Sequence, residues 1–288
     1  MLRCASCWLD LSQPVVMGVL NVTPDSFSDG GQFQRLDEAV RRALEMVEEG
    51  ARIIDVGGES TRPGAEPVSE DEELRRVIPV IEALAPRIEV PISIDTSKPR
   101  VMAEAVNAGA QIINDVYALR APGALETARE TGAAVCLMHM KGEPRTMQLD
   151  PQYDDVVAEV TAFFAERVSA CIEAGITSDR LVLDPGIGFG KQLQHNLALL
   201  AAIPALSVQR LPLLIGVSRK SMFGALLGRP VHERLAGALA VTVAAVLAGA
   251  KIVRTHDVRA TVDAVKVAVA LKNAGYGIPM SGDSGSGA

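Results

Sequence analysis

The sequence predicts an α/β protein built as a single (β/α)8 TIM barrel, on three observations. A short run rich in Val, Ile and Leu is followed by a polar or glycine-rich loop and then by a longer stretch of 3.6-residue periodicity. This unit recurs eight times in 288 residues. The short runs are nearly all apolar, as strands covered on both faces must be. Five of the longer stretches end on glycine (Gly50, Gly109, Gly132, Gly175 and Gly249), where a helix stops on a left-handed residue.

The elements follow in order. The first strand, 15–20, reads "VVMGVL" and leads through "NVTPDSFSDGG", far longer than a turn requires, to a helix over 36–49. The second, 52–56, leads through "GGESTRPG" (57–64) to a helix over 70–84. After the third, 92–94, come Asp95, Thr96 and Ser97. Pro99 then opens a helix over 99–108, at a position where its missing N–H costs nothing. The fourth strand is 112–113 with its helix at 123–131, and the fifth is 134–137 with its helix at 153–174. The sixth, 181–183, leads through "DPGIGFGK" (184–191) to a helix over 197–206. The seventh, 213–216, precedes Ser218-Arg219-Lys220-Ser221 and a helix over 231–248. The eighth, 252–253, precedes Arg254-Thr255-His256-Asp257 and a helix over 260–273. A doubly wound open sheet is the rival arrangement. It needs an edge strand and usually a dinucleotide loop after the first strand, and "NVTPDSFSDGG" is not one. The barrel domain is assigned to 1–276, with 1–8 as a lead-in and 277–288 as a flexible polar tail.

Composition narrows the function classes. With 3% aromatic and 48% hydrophobic residues, Ala, Val and Leu must fill the core. A net charge of −7 without a basic tract argues against nucleic acid, yet permits a local cationic pocket. No apolar stretch has the length of a membrane span or the look of a secretion signal, so no membrane partner and a cytoplasmic location are expected. Cys4 and Cys7 have metal-clip spacing but no second pair completes a site, and they read as part of a thiol-bearing tail in a reducing compartment. The segment 235–250 has no charge between Arg234 and Lys251. An outer barrel helix should show water a polar face, so a second subunit is predicted against it and the protein is expected to be a homodimer.

In this fold the active site lies where the strands end. Asp95, Asn114, Asp184 and Lys220 offer donors and acceptors of mixed polarity, which suit a flat neutral heterocycle. Arg62, Arg254 and His256, with nearby hydroxyls and glycine amides, suit phosphate. Asn21 offers a carbonyl oxygen fit for a hard cation such as Mg2+. Each has a plainer explanation. Asp or Asn after a strand often caps the next helix. His139 and His256 alone are compatible with structural roles, and Lys220 and Arg254 with surface ion pairs. "DPGIGFGK" lacks phosphate-loop spacing, and its glycines also suit a tight turn. Convergence of eight ends on two complementary chemistries favours a site.

The segments "MGVLNVTPDSFSDGG", "DVGGESTRPGA", "SIDTSKP", "INDV", "CLMHMKGEPRTMQ", "LDPGIGFGK", "GVSRKSMFG" and "RTHDV" together resemble the motif set of the dihydropteroate synthases, in order, over about residues 9–276. The resemblance implies condensation of 6-hydroxymethyl-7,8-dihydropterin diphosphate with p-aminobenzoate, a Mg2+-assisted step of folate synthesis in a cytoplasmic homodimer, with sulfonamides as mimics of p-aminobenzoate. It implies pterin contacts at Asp95, Asn114, Asp184 and Lys220, with Met138 lining the pocket and Arg254 against the ring. Diphosphate contacts fall on Asn21, Arg62, Arg254 and His256, and the metal on Asn21. Contacts to p-aminobenzoate fall on Thr61, Pro63, Phe189, Lys220 and Ser221. Asp95, Asp184, Lys220, Arg62, Arg254 and His256 would carry the catalysis. Diphosphate leaves once its charge is neutralised, and the arylamine is neutral at pH 7, so a dissociative substitution needs no strong base. The long first loop reads as a lid, with Phe27 over the arylamine, Ser28 as a polar contact, Asp29 steadying the closed form and Gly30 and Gly31 as hinge. A pterin-binding methyl-transfer barrel would not need the diphosphate residues. A non-catalytic folate-binding module would not retain Arg62, Lys220, Arg254 and His256 together.

Overall fold

The structure is a computed structural model that describes residues 1–22, 32–60, 67–143 and 146–276, with the backbone alone for 32–34. Among these the elements are β1 (Leu2–Cys4), β2 (Cys7–Leu9), β3 (Val15–Asn21), α1 (Gln32–Glu48), β4 (Ile53–Gly57), α2 (Glu70–Leu84), β5 (Ile92–Asp95), α3 (Pro99–Asn107), β6 (Ile112–Asp115) and α4 (Ala124–Thr131). They continue with β7 (Ala134–Met138), α5 (Val156–Glu173), β8 (Leu181–Asp184), α6 (Leu193–Ala201), α7 (Ile203–Leu206), β9 (Leu214–Gly216), α8 (Met222–Leu227), α9 (Leu235–Leu247), β10 (Ile252–Thr255) and α10 (Val258–Asn273).

The apolar runs pair in parallel in the order β8-β7-β6-β5-β4-β3-β10-β9. A parallel bridge between Leu183 and Leu213 joins the two outer strands, and the Leu183 N–H donates to the Pro212 carbonyl at 3.0 Å. The sheet therefore closes, and the open-sheet alternative is excluded. Alternation along each strand sorts the side chains. Ile54, Val56, Ile92, Ile94, Val135 and Leu137 belong to the core between sheet and helices, while Met17, Ile53, Ile112, Cys136, Val182, Leu214 and Ile252 fill the lumen.

The expected N-terminal tail is a hairpin instead. β1 and β2 pair antiparallel with Cys4 opposite Cys7, and Leu2, Cys4, Leu9 and Leu11 are buried in the lumen cluster. Apolar lumen residues would otherwise meet water at the N-terminal end of the barrel, and the hairpin covers them. Cys4 and Cys7 are free thiols, and burial pushes the Cys4 pKa up to about 12.

Helix ends follow local chemistry. Gly50, Gly109, Gly132, Gly175 and Gly249 are all left-handed, as their positions predict. Pro99 follows Lys98 at the start of α3. Asp155 sets the start of α5 by accepting from the Val157 and Ala158 N–H groups at 2.9 and 3.0 Å. The expected helix over 197–206 is two, broken at Ala202 ahead of Pro204, whose ring cannot continue the hydrogen-bond ladder. The expected helix over 231–248 starts later, at Leu235, and is preceded by α8, a short helix the pattern did not reveal. α9 packs on α10 and is uncharged, and Leu226, Leu227, Val231, Leu235, Val267 and Leu271 lie exposed on α8, α9, α10 and the segment between α8 and α9. Among the described residues no helix is long and apolar enough to cross a membrane.

Candidate active site

The C-terminal end of the barrel is organised by one guanidinium. Arg254 on β10 donates from Nε to Asp55 Oδ2 at 2.7 Å and from Nη2 to Asp95 Oδ2 at 2.6 Å. Asn114 Nδ2 donates to the same Asp55 oxygen at 3.2 Å, which leaves the amide oxygen of Asn114 for other partners. The planar fork suits this two-carboxylate arrangement as a lysine would not. Burial opposes charge on Arg254, but Asp55 and Asp95 outweigh it and push its pKa further up. Burial raises Asp95 to about 7; Arg254 counteracts this, while the carboxylates of Asp55, Glu73 and Asp115 add to it. The sequence reading missed Asp55. It sits inside a strand instead of at its end, and its signal was a lone acid in an apolar run.

A second group of residues surrounds the β8 end. Asp184 is buried and accepts the Gly186 N–H at 2.7 Å. Burial raises its pKa, against the pull of that N–H and of Lys220, Arg254 and Lys191. The following loop lies flat on the end of β7. A Cβ on Gly186 (φ +63°) would stand 2.0 Å from the His139 carbonyl oxygen, and one on Gly190 (φ +61°) 2.2 Å from that of Lys141. The glycines of "DPGIGFGK" thus permit close backbone approach, as the plainer explanation held. Gly186→Ala is expected to cost about 3 kcal/mol or more, because the contact is with backbone and φ is unfavourable. Urea unfolding of the variant checks this; a loss under 1 kcal/mol would contradict it.

Lys220 follows Arg219, a non-glycine residue at φ +62°, and sets its Nζ 4.0 Å from the centroid of the Phe189 ring. Burial lowers Lys220 to about 8, partly offset by Asp184. Ser221, next in the chain, is exposed at the start of α8. Met138 packs with Val116, Met140 and Met147 against Tyr117 and Phe189, forming an apolar wall beside the polar groups. His256 is oriented by Ser218, whose Oγ lies 3.0 Å from His256 Nδ1 and accepts the His256 N–H at 3.3 Å. Ser218 was not among the expected site residues.

Asp115 serves the turn after β6 and not the next helix, whose N-cap is Gly123 without a side-chain bond. Asp115 binds Ser97 Oγ and the N–H groups of Tyr117 (2.8 Å) and Leu119 (2.7 Å), a local structural role. Among the described residues Asp95 caps no helix; α3 is led by Lys98. Asn21, at the end of β3, pairs in register with Gly57 and is half-buried. Among the described residues no cluster of three acidic, His or Cys side chains joins it. Thr61, Arg62 and Pro63, and Phe27, Ser28 and Asp29 with the rest of the expected lid, lie outside the described residues.

A closed parallel barrel with buried carboxylates, an amide, a guanidinium and an apolar wall at its C-terminal end is an enzyme scaffold of the (β/α)8 class. A family described as pterin binding enzyme matches residues 17–256. The dihydropteroate synthase of Escherichia coli (strain K12) is 58% identical over 266 residues, 92% of this chain and 94% of that protein. The Yersinia pestis dihydropteroate synthase, solved in a sulfonamide drug complex, superposes with a TM-score of 0.90 at 52% identity, covering 94% of this chain and 99% of that one. The Xanthomonas albilineans enzyme, solved with 7,8-dihydropteroate, gives 0.85 at 48% identity over 94% and 98% of the two chains. The chain belongs to the pterin-binding enzyme family, among the dihydropteroate synthases.

Proposed function

We propose that this protein joins 6-hydroxymethyl-7,8-dihydropterin diphosphate to p-aminobenzoate, releasing diphosphate and forming 7,8-dihydropteroate. The observation that carries this is the pairing of Arg254 with Asp55 and Asp95 beside Asn114 and Asp184, a buried set with donors and acceptors for a pterin edge and a cation for an anionic leaving group.

The chemistry follows from charge. The bond between the pterin's exocyclic CH2 and the diphosphate oxygen breaks with its electron pair on oxygen. Arg254, His256 and Arg62 stabilise the charge that develops there. The electron-rich dihydropterin bears the positive charge left on carbon, and Asp184 and Asp95 favour that charge from the ring's far edge. The neutral arylamine then forms the C–N bond and loses a proton. Catalysis is by position and electrostatics. Thr61, Pro63, Phe189, Lys220 and Ser221 hold p-aminobenzoate, and Lys220 also contacts the pterin. Met138 lines the pterin pocket.

A Mg2+ ion fits this site as a companion of the diphosphate. Asn21 would supply one neutral oxygen, a donor suited to a hard cation. When bound, the ion neutralises charge on the leaving group. The uncharged α9 and the exposed leucines and valines around it support a homodimer through α8, α9 and α10. Its free thiols suit a reducing cytoplasm.

Diphosphate release measured with both substrates, and with each omitted, tests the reaction. Release is expected only with both; release independent of p-aminobenzoate would overturn it. Light scattering is expected to give twice the 30.4 kDa chain mass, and a concentration-independent single-chain mass would remove the dimer.

A further inference from the structure

Lys191 closes the "DPGIGFGK" loop and is buried, 3% exposed. Its Nζ meets three partners, the Phe189 carbonyl at 2.9 Å, the His139 carbonyl at 3.2 Å and His139 Nδ1 at 2.9 Å. Burial lowers the Lys191 pKa to about 7, against the pull of Asp184. In either protonation state its amino group has an N–H for each of the two carbonyls, and whether it donates to His139 Nδ1 or accepts from it is set by the tautomer. Burial, then the Lys191 charge, holds the His139 pKa down at about 3, in keeping with a neutral ring. Lys191 is therefore no contact for substrate.

What it grips is specific. Three successive carbonyls of the loop are each taken by a side chain: Gly188 by Gln148 Nε2, Phe189 by Lys191 Nζ, and Gly190 by the Tyr153 hydroxyl at 2.8 Å. The Gly188 N–H donates to Asn196 Oδ1 at 2.7 Å. The residue so immobilised is Phe189, whose ring faces the Lys220 ammonium at 4.0 Å. A buried amino group costs stability that an apolar side chain of similar volume would not. Its presence here is explained by the geometry it imposes.

We propose that Lys191 is a positioning residue for p-aminobenzoate: it ties the loop after β8 to the end of β7, fixes the Phe189 ring and, through that ring, places Lys220. The assignment rests on the p-aminobenzoate site proposed above. It extends that site to a residue with no substrate contact of its own.

Lys191→Met, Phe189→Ala and the double variant, in the full chain, test it by steady-state kinetics and by binding of 6-hydroxymethyl-7,8-dihydropterin. Lys191→Met is expected to raise the KM for p-aminobenzoate about 10-fold or more, the scale of one charge-assisted hydrogen bond, and to lower the pterin affinity by a clearly smaller factor, since the pterin keeps Asp184, Asn114 and Asp95 when Lys220 shifts. The double variant is expected to be no worse than Phe189→Ala, since Lys191 acts through that ring. Lys191→Gln, which keeps a donor for the Phe189 carbonyl, should recover part of the KM and stands in where Lys191→Met does not fold. An unchanged KM, a parallel loss of pterin affinity, or effects that multiply in the double variant would each overturn the role. A wild-type protein without p-aminobenzoate-dependent release would remove the function and this role together. Normal wild-type release with an unaltered Lys191→Met removes this role alone.

Discussion

Arg254→Ala is expected to lower kcat/KM by about 10³-fold or more, the scale of removing a charge that stabilises a departing phosphate oxygen. The same change removes the partner of two buried carboxylates. Asp55 is fully buried and Asp95 nearly so, and both bond this guanidinium. Deleting one member of a buried ion pair costs about 3–5 kcal/mol, because the remaining charge stays uncompensated. The variant should therefore be measurably less stable as well as slower. Asp95 already has its pKa raised to about 7, so it can shed charge by taking up a proton. With its cation removed that tendency grows, and the stability deficit should shrink as pH falls from 8 to 5. Arg254→Lys separates the effects. It restores one positive charge but cannot span Asp55 and Asp95 with two directed donors. Stability should partly return while turnover stays at least tenfold low. Steady-state kinetics with urea unfolding at several pH values measure both, and near-normal turnover in Arg254→Ala at saturating substrate would sink the diphosphate role.

The strand ends were legible because short apolar runs show where the strands stop, and the barrel's polarity says that side chains beyond those ends converge. Asp95, Asn114, Asp184 and Arg254 come together as that logic requires. Residues that act through other residues were not legible. Asp55 meets Arg254 from 199 positions away, and Ser218 meets His256 from 38. No local pattern encodes either distance. Lys191 read as the end of a glycine-rich motif, and its burial depends on β7, a neighbour in space. The hairpin of β1 and β2 escaped for a related reason. Three-residue strands carry almost no periodicity, and the lumen they cover exists only once the barrel has closed.

Asp184→Asn is expected to move binding and stability in opposite directions. Affinity for 6-hydroxymethyl-7,8-dihydropterin should fall about 10- to 100-fold, the worth of a hydrogen bond to a charged acceptor. The unliganded fold should become more stable. Burial raises the Asp184 pKa above the ordinary carboxylate value, and the Gly186 N–H and the cations of Lys220, Arg254 and Lys191 only partly offset this. A carboxyl with a raised folded pKa binds its proton more tightly in the folded state. Its contribution to stability is present at low pH and is lost as pH rises from the unfolded carboxylate value, about 3.9, through the folded one. Asparagine never ionises and keeps an oxygen for the Gly186 N–H. The gain in melting temperature should therefore be small near pH 4 and widen toward pH 7. A gain that narrows over that range would show that the nearby cations, and not burial, dominate at Asp184, and unchanged affinity for the pterin would remove Asp184 from the pterin site. A wild-type carboxylate that costs the empty fold stability and contributes to binding is what a site built for its ligand predicts, because the pterin's N–H groups supply the partners that the folded chain does not.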